Sequence, residues 1–228
     1  MAVLVGIDGT GSAFLPGEER DRRYDAAFAN SFVRRLVNAR NLNHRYFRGP
    51  VALGGGLVAA INEAFTFVMS SRQRMASPES VLLTGYSRGA AGVVCLAGKL
   101  KRAGVNVQAM LLFDCVDRHL FVDAEVVPNN VAHVMHVIRD PAGRSRRSFG
   151  NEGLKFSPPT VYPPPKKFMC THGGMGGTPW ALPKGSSPAN FIKESFPDGE
   201  TRVTYADDAR VSQEVWSYVQ PFIRTHGF

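Results

Sequence analysis

The sequence contains no hydrophobic run that could cross a bilayer. None of its stretches approaches the ~18 consecutive apolar residues that a membrane-spanning helix requires. The N-terminus carries no basic leader, and its apolar run is broken at Gly6 and Asp8, so we expect a first strand there rather than a signal peptide. These absences predict a protein that is cytoplasmic as synthesised, and they leave export by a leaderless route open.

Cysteine is scarce, and its spacing does not suggest a metal site. The chain has 3 cysteines, at Cys95, Cys115 and Cys170, and they form no short ligand-like pair. Each cysteine lies in an apolar run, so we expect all of them to be buried and reduced.

Acidic residues are outnumbered, with 19 Asp and Glu against 27 Lys and Arg and a formal net charge of +8. This balance favours contact with an anionic partner, such as a layer of phospholipid headgroups or a nucleic acid. The positive charge is scattered, and no helix-turn-helix, zinc-finger or aromatic-basic RNA signature accompanies it. We therefore expect no nucleic-acid partner and a transient contact with an anionic membrane surface.

Apolar strand-like runs alternate with segments of helical periodicity, which is typical of a parallel sheet covered by helices. Strands are predicted at 3–7, 81–84, 107–113, 131–138 and 167–171, and helices at 25–37, 57–69, 88–102 and 207–224. The length suits a single domain over 1–228. Proline- and glycine-rich stretches near 141–166 and 173–190 are too irregular for helices or strands, and we expect them to shape the mouth of a site.

The most specific motif is Gly-Tyr-Ser-Arg-Gly at 85–89, which joins a predicted strand to a predicted helix. A serine between two glycines at such a junction is the nucleophile elbow of α/β-hydrolases. The glycines have a steric reason, since a Cβ at either position would collide where strand and helix approach closely. The motif predicts an α/β-hydrolase-like fold, with a mostly parallel central sheet flanked by helices, and Ser87 as nucleophile.

A serine nucleophile needs a base within hydrogen-bond reach and a carboxylate that orients the base. Asp114 directly follows an apolar strand, so we expect its side chain at the same edge of the sheet as Ser87. Asp117 is the alternative acid. His172 follows a short predicted strand and precedes flexible glycines, which suits a general base in a loop.

Acyl transfer also needs hydrogen-bond donors for the oxyanion. The backbone N–H of Arg88 is expected to be one donor. The glycine-rich loop after the first strand is expected to supply the other, from Thr10 or Gly11. We expect the Arg88 guanidinium to pair with a carboxylate such as Asp8 or, alternatively, to contact a substrate phosphate.

Several segments together resemble one family, the α/β-hydrolase domain typified by phospholipase effectors of the type VI secretion system. The matching segments are Asp-Gly-Thr-Gly at 8–11, Gly-Tyr-Ser-Arg-Gly-Ala at 85–90, Phe-Asp at 113–114, the histidine-containing strand and turn at 136–144, and the glycine-rich segment at 170–177. The resemblance implies a hydrolase of phospholipid ester bonds with Ser87, Asp114 and His172 as the triad. It also implies a secretion-system or immunity protein as a partner.

The sequence thus predicts a serine hydrolase that cleaves carboxylic esters, first of all those of lipids, through an acyl-enzyme. This chemistry requires no metal ion and no organic cofactor. A small soluble ester or thioester is the alternative substrate. A non-catalytic binding module on a hydrolase fold is a third interpretation, which the co-occurrence of serine, aspartate and histidine disfavours.

Overall fold

The computed structural model of the chain describes residues 2–11, 17–39, 43–51, 55–74, 80–117, 122, 124–150 and 154–228. Within these ranges the strands are β1 (Val3–Ile7), β2 (Asn43–Phe47), β3 (Val81–Tyr86), β4 (Val107–Phe113), β5 (Val126–Val127), β6 (Val131–Arg139), β7 (Lys155–Phe156), β8 (Lys166–Phe168), β9 (Phe191–Lys193) and β10 (Glu200–Thr204). The helices are α1 (Gly17–Ala27), α2 (Phe32–Asn38), α3 (Leu57–Gln73), α4 (Arg88–Arg102), α5 (His172–Met175) and α6 (Tyr205–His226). Short 3-10 turns at Pro141–Gly143 and Arg147–Phe149 follow β6.

One parallel sheet forms the centre of the molecule, with the strand order β2-β1-β3-β4-β6-β8. Strands β1, β3 and β4 are buried on both faces because they are almost continuous apolar runs. Neighbouring residues of a strand point to opposite faces of the sheet. Leu83 lies in the cluster that contains residues of α3 and α4, whereas Leu82 lies in the cluster that contains residues of α2 and α6. The α/β-hydrolase-like fold class predicted from the sequence is confirmed, with a parallel central sheet flanked by helices.

The order of the strands creates a crevice at the carboxyl edge of the sheet. The chain pairs β2 with one side of β1 and then returns to place β3 on the other side. The loops that follow β1 and β3 therefore diverge and leave an opening between them. Ser87 follows β3, Asp114 follows β4 and His172 comes after β8, so the topology brings these residues to one edge.

The helix predicted at 25–37 is two helices, α1 and α2, in the structure. Ser31 separates them because its hydroxyl is hydrogen-bonded to two other groups. It accepts the N–H of Arg34 at 3.1 Å as the N-cap of α2, and it donates to the buried carboxylate of Asp8. Strand β2 was not predicted either, because its residues are mostly polar and partly exposed.

Helix α6 is amphipathic. It buries Val211, Val215, Val219 and Ile223 against the sheet, and its other residues are mostly polar. In the part of the chain that the structure describes, no helix is long and apolar enough to cross a membrane.

The cysteines differ in burial. Cys115 and Cys170 are buried, as predicted, whereas Cys95 is partly exposed. Cys95 lies on α4 at the margin of the apolar face, where it packs against the core without being covered by it.

Candidate active site

Ser87 sits on the sharp turn between β3 and α4, with φ 57° and ψ −129°. This positive φ is strained for a residue with a Cβ and is typical of a nucleophile elbow. A Cβ on Gly85 would lie 2.6 Å from Ala90 Cα, and one on Gly89 would lie 2.2 Å from the carbonyl oxygen of Asp8. Close backbone approach therefore requires glycine at both positions. Gly85 packs against the start of α4, whereas Gly89 packs against the end of β1 and not against β3.

The structure brings Ser87, His172 and Asp114 into one hydrogen-bonded chain. Ser87 Oγ lies 2.9 Å from His172 Nε2, and His172 Nδ1 lies 2.5 Å from Asp114 Oδ2. Asp117, the alternative acid, accepts the N–H of Ala124 at 3.2 Å instead. The arrangement matches that of a nucleophile, a base and the group that orients the base.

His172 begins the one-turn helix α5 rather than ending a strand, because β8 stops before it. Thr171 caps this turn: its Oγ1 accepts the N–H of Gly174 at 3.1 Å, and its own N–H and hydroxyl donate to Asp208. The hydroxyl of Tyr86 donates to the carbonyl oxygen of His172 at 2.9 Å. His172 is thereby held by contacts from β3 and α6 as well as from its own loop.

The glycines that follow His172 serve close packing rather than the flexibility expected of them. A Cβ on Gly174 would lie 2.4 Å from Asp208 Oδ1, and one on Gly176 would lie 2.5 Å from the ring of Tyr86. The segment fits against α6 and β3 because these positions carry no side chain.

Arg139 is a buried residue of the site that was not predicted from the sequence. Its Nη1 donates to Asp114 Oδ2 and lies 3.3 Å from His172 Nδ1. Only 4% of its side chain is exposed, and none of the Asp114 side chain is. A charged residue at the carboxyl end of an apolar strand was the reason for choosing Asp114, and the same signal would have found Arg139 at the end of β6.

The same guanidinium also binds the loop that follows β6. Arg139 Nε donates to the carbonyl oxygen of Ser145 at 2.8 Å, and Nη2 donates to those of Arg146 and Gly150 at 2.9 Å each. Arginine can do this because its planar group presents five N–H donors in fixed directions.

The ionisation of the pair follows from burial and from the neighbouring charges. Burial raises the pKa of Asp114, but the hydrogen bonds and charges of His172 and Arg139 outweigh it and hold that pKa below its ordinary value. Burial lowers the pKa of His172, and the charges of Arg139 and Arg146 lower it further against the pull of Asp114. Near pH 7 the carboxyl group is therefore ionised and the imidazole is neutral, as a general base must be.

Ser87 and His172 open onto a cleft of about 430 Å³, within the roughly 300–1,000 Å³ of small-molecule sites. Its apolar and aromatic walls are formed by Phe28, Tyr86, Val116, Phe149 and Trp180, and its charged walls by Arg88, Arg146 and Glu194. The stretch 141–166 thus contributes Arg146 and Phe149 to the cleft, and 173–190 contributes Trp180.

Both loops that were expected to bind the oxyanion reach this cleft. The N–H of Arg88 is the first of α4, a position without an acceptor inside the helix. The N–H of Gly11 donates to the carbonyl oxygen of Pro50 at 3.0 Å, which leaves Thr10 as the candidate donor from the first loop.

The expected ion pair between Arg88 and Asp8 is not formed. Arg88 Nη1 lies 3.4 Å from Thr10 Oγ1. The Asp8 carboxylate instead accepts from the hydroxyls of Ser31 and Tyr46. These neutral donors do not offset burial, which raises the pKa of Asp8 to about 6.

Glu194 connects the cleft to the loop beneath His172. Its carboxylate accepts from the hydroxyl of Ser145 at 2.7 Å and from the N–H of Arg146 at 2.6 Å. Ser145 Oγ in turn accepts the N–H of His172 at 2.9 Å. Glu194 was not predicted as a site residue, and neither was the short strand β9 that precedes it.

Comparisons with known proteins add little to this geometry. No family model matches the sequence, and no curated protein matches it. An uncharacterized protein from Pseudomonas aeruginosa aligns with 78% of this chain at 13% identity and a TM-score of 0.41, and the chain spans 42% of that protein's length. An acetyl xylan esterase aligns over 97% of both chains at 12% identity and a TM-score of 0.33. Neither similarity is strong enough to assign a family or a substrate.

Proposed function

We propose that the protein is a serine hydrolase that cleaves carboxylic esters through an acyl-enzyme at Ser87. The hydrogen-bonded chain from Ser87 Oγ through His172 to Asp114 carries the proposal. The strained backbone of Ser87 supports it, because such strain is concentrated at functional sites.

In this mechanism His172 Nε2 takes the proton of Ser87 as Oγ attacks the carbonyl carbon of the ester, and Asp114 stabilises the imidazolium. The N–H groups of Arg88 and Thr10 donate to the oxyanion. His172 then gives its proton to the leaving oxygen, which departs as the alcohol and leaves the acyl group on Ser87. Water attacks the acyl carbon as His172 removes its proton, and the carboxylic acid leaves as that proton returns to Ser87.

The substrate class that we propose first is an acyl ester of a phospholipid. The apolar walls of the cleft suit an acyl chain, and Arg88 and Arg146 suit a headgroup phosphate. The net charge of +8 favours the surface of an anionic bilayer. A secretion-system or immunity partner is proposed on the sequence resemblance alone.

A small soluble ester or thioester is the second candidate, and the size of the cleft favours it. A short acyl ester would fit within about 430 Å³, whereas a diacyl lipid would extend beyond the walls.

Labelling with a fluorophosphonate probe tests the nucleophile directly. Wild type should be labelled at Ser87 and should hydrolyse p-nitrophenyl esters, and Ser87→Ala should lose both properties while keeping its fold. Ser157→Ala, at an exposed serine, is the matched control and should behave as wild type. Full hydrolysis by Ser87→Ala would refute the proposal.

Product analysis separates the two substrate classes. The protein is incubated with vesicles that contain anionic phospholipids and, separately, with soluble acyl esters of matched chain length. Release of fatty acid from the vesicles supports the phospholipid substrate, whereas turnover of the soluble esters alone favours the second candidate.

A further inference from the structure

We infer that Arg139 is a positioning residue that holds the Asp114–His172 pair and the cleft loop 145–150 in one arrangement. The inference rests on the proposed function, since it concerns how that site is kept in its active geometry. Arg139 is not among the described residues that line the cleft, and it acts through the groups that it binds.

The guanidinium divides its donors between two groups of acceptors. Nη1 faces the acid and the base, where it donates to Asp114 Oδ2 and lies 3.3 Å from His172 Nδ1. Nε and Nη2 donate to three backbone carbonyl oxygens of the loop. Because the group is planar and rigid, any shift of the loop relative to Asp114 would break contacts on one side.

The loop needs such an anchor because the backbone is strained within it, at Arg146, and directly before it, at Arg144. Arg144 and Arg146 have positive φ angles of 56° and 44°, which residues with side chains adopt only when their surroundings impose it. This backbone turns its carbonyl oxygens towards Arg139. It also places Arg146 and Phe149 in the wall of the cleft.

Arg139 also sets the charge balance at the base. Arg139 Nη1 and His172 Nδ1 share one acceptor, Asp114 Oδ2, so the carboxylate divides its stabilisation between two cationic partners when the imidazole is protonated. The other charged or titratable groups around His172 are Arg146 in the cleft wall, Glu194 behind Ser145, Asp208 behind Thr171, and Tyr86. A neutral residue at 139 should make His172 easier to protonate.

Two substitutions separate the charge of Arg139 from its geometry. Arg139→Gln removes the charge and most of the donors, and Arg139→Lys keeps the charge but loses the planar fork. Arg147→Gln is the matched control, because Arg147 is an exposed arginine of the same loop.

The first measurement is an NMR titration of the His172 imidazole, which requires no turnover. We expect the midpoint to move upward by about one pH unit or more in Arg139→Gln. It should stay near the wild-type position in Arg139→Lys and in the control. The amide resonances of 145–150 should shift in both Arg139 variants because their carbonyl anchor is lost.

The second measurement is the rate of fluorophosphonate labelling and of ester hydrolysis. Both Arg139 variants should lose about 10- to 100-fold, since small displacements of catalytic groups have effects of this size. Arg147→Gln should retain the wild-type rate.

An unchanged His172 titration in Arg139→Gln, or wild-type labelling by Arg139→Lys, would overturn the inference. If Arg139→Gln does not fold, Arg139→Lys decides the question through its rate and its loop resonances. Failure of the proposed function gives a different result: wild type itself is then not labelled, while the His172 titration and the loop resonances still report on Arg139.

Discussion

Ser87 and Asp114 both have positive φ angles, of 57° and 46°, at the ends of neighbouring strands. The sheet's hydrogen bonding continues into both turns: Ser87 N–H donates to Phe113 at 3.0 Å, and Asp114 N–H donates to Val137 at 2.8 Å. The sheet therefore imposes both strained conformations. Each turn directs a side chain towards His172.

Removing the strain at Ser87 should stabilise the fold. Ser87→Gly and Ser87→Ala both lose the hydrogen bond to His172, but only glycine adopts φ 57° without strain. We expect Ser87→Gly to be about 1 kcal/mol more stable than Ser87→Ala by urea denaturation, although both should be inactive. A less stable Ser87→Gly would show that the turn is not strained.

A methyl group at Gly89 should damage both the fold and the site. Its Cβ would meet the backbone oxygens of Asp8 and Ile7 at 2.2 and 2.3 Å, and backbone cannot move aside as a side chain can. We expect Gly89→Ala to lose about 3 kcal/mol in the free energy of unfolding, together with probe labelling.

Gly98→Ala on the same helix is the control. Its nearest contact would be Pro128 at 3.8 Å, an ordinary separation. This variant should gain about 0.5–1 kcal/mol from helix propensity and keep full activity. Equal losses in Gly89→Ala and Gly98→Ala would argue against a specific clash at the elbow.

Asp114→Asn tests the orienting acid without disturbing its backbone, because asparagine tolerates a positive φ. The amide cannot hold His172 as the carboxylate does, and we expect kcat/KM to fall by about 10³- to 10⁴-fold. The variant should also be less stable, because the buried Arg139 loses its counter-ion. Asp117→Asn should stay close to wild type, and the reverse order would make Asp117 the acid.

His136 should make the protein less stable in acid. Burial lowers its pKa to about 4, and its Nε2 accepts the N–H of Cys115 at 3.2 Å. Between the usual pKa near 6.5 and pH 4, the unfolded chain binds a proton that the folded chain does not, so stability falls as the pH falls. Between pH 7 and 4, wild type should therefore lose about 3 kcal/mol relative to His136→Gln in urea denaturation.

Asp8 should have the opposite effect on stability in acid. Burial raises its pKa to about 6, so below that pH the folded chain binds the extra proton and gains stability. Between pH 7 and 4, wild type should gain about 2 kcal/mol relative to Asp8→Asn. If both variants move in the same direction against wild type, these groups do not control the acid response.

Much of the central sheet could be predicted because its signals are local. The bounds predicted for β1, α4 and β4 agree with the structure, since each is an apolar run or a periodic segment bounded by polar residues or glycine. The break between α1 and α2 could not be predicted, because Ser31 is bonded to Asp8, which is distant in sequence. Strand β2 depends on its pairing with β1 and carries little apolar pattern of its own.

The candidate site, like the fold, has parts that could be predicted from the sequence and parts that could not. Strand ends correctly predicted that Ser87 and Asp114 lie at one edge of the sheet. His172 joins them from the helix α5 rather than from the strand end expected for it, and the catalytic roles of all three stay predictions. Arg139 has the same strand-end position as Asp114, whereas Glu194 is one charged residue among many, and only the folded chain shows that it points inward. Their partners come from loops whose paths depend on tertiary contacts.

Gly174 and Gly176 restrict how the specificity of this protein could evolve or be redesigned. Loops beside an active site usually tolerate substitutions and insertions, and this tolerance lets one fold acquire new substrates. The loop that carries His172 does not have this tolerance, because even a methyl group at Gly174 or Gly176 would meet Asp208 or the ring of Tyr86. Adaptive changes should therefore accumulate around Phe149, which belongs to a different loop and whose side chain already forms part of the cleft wall.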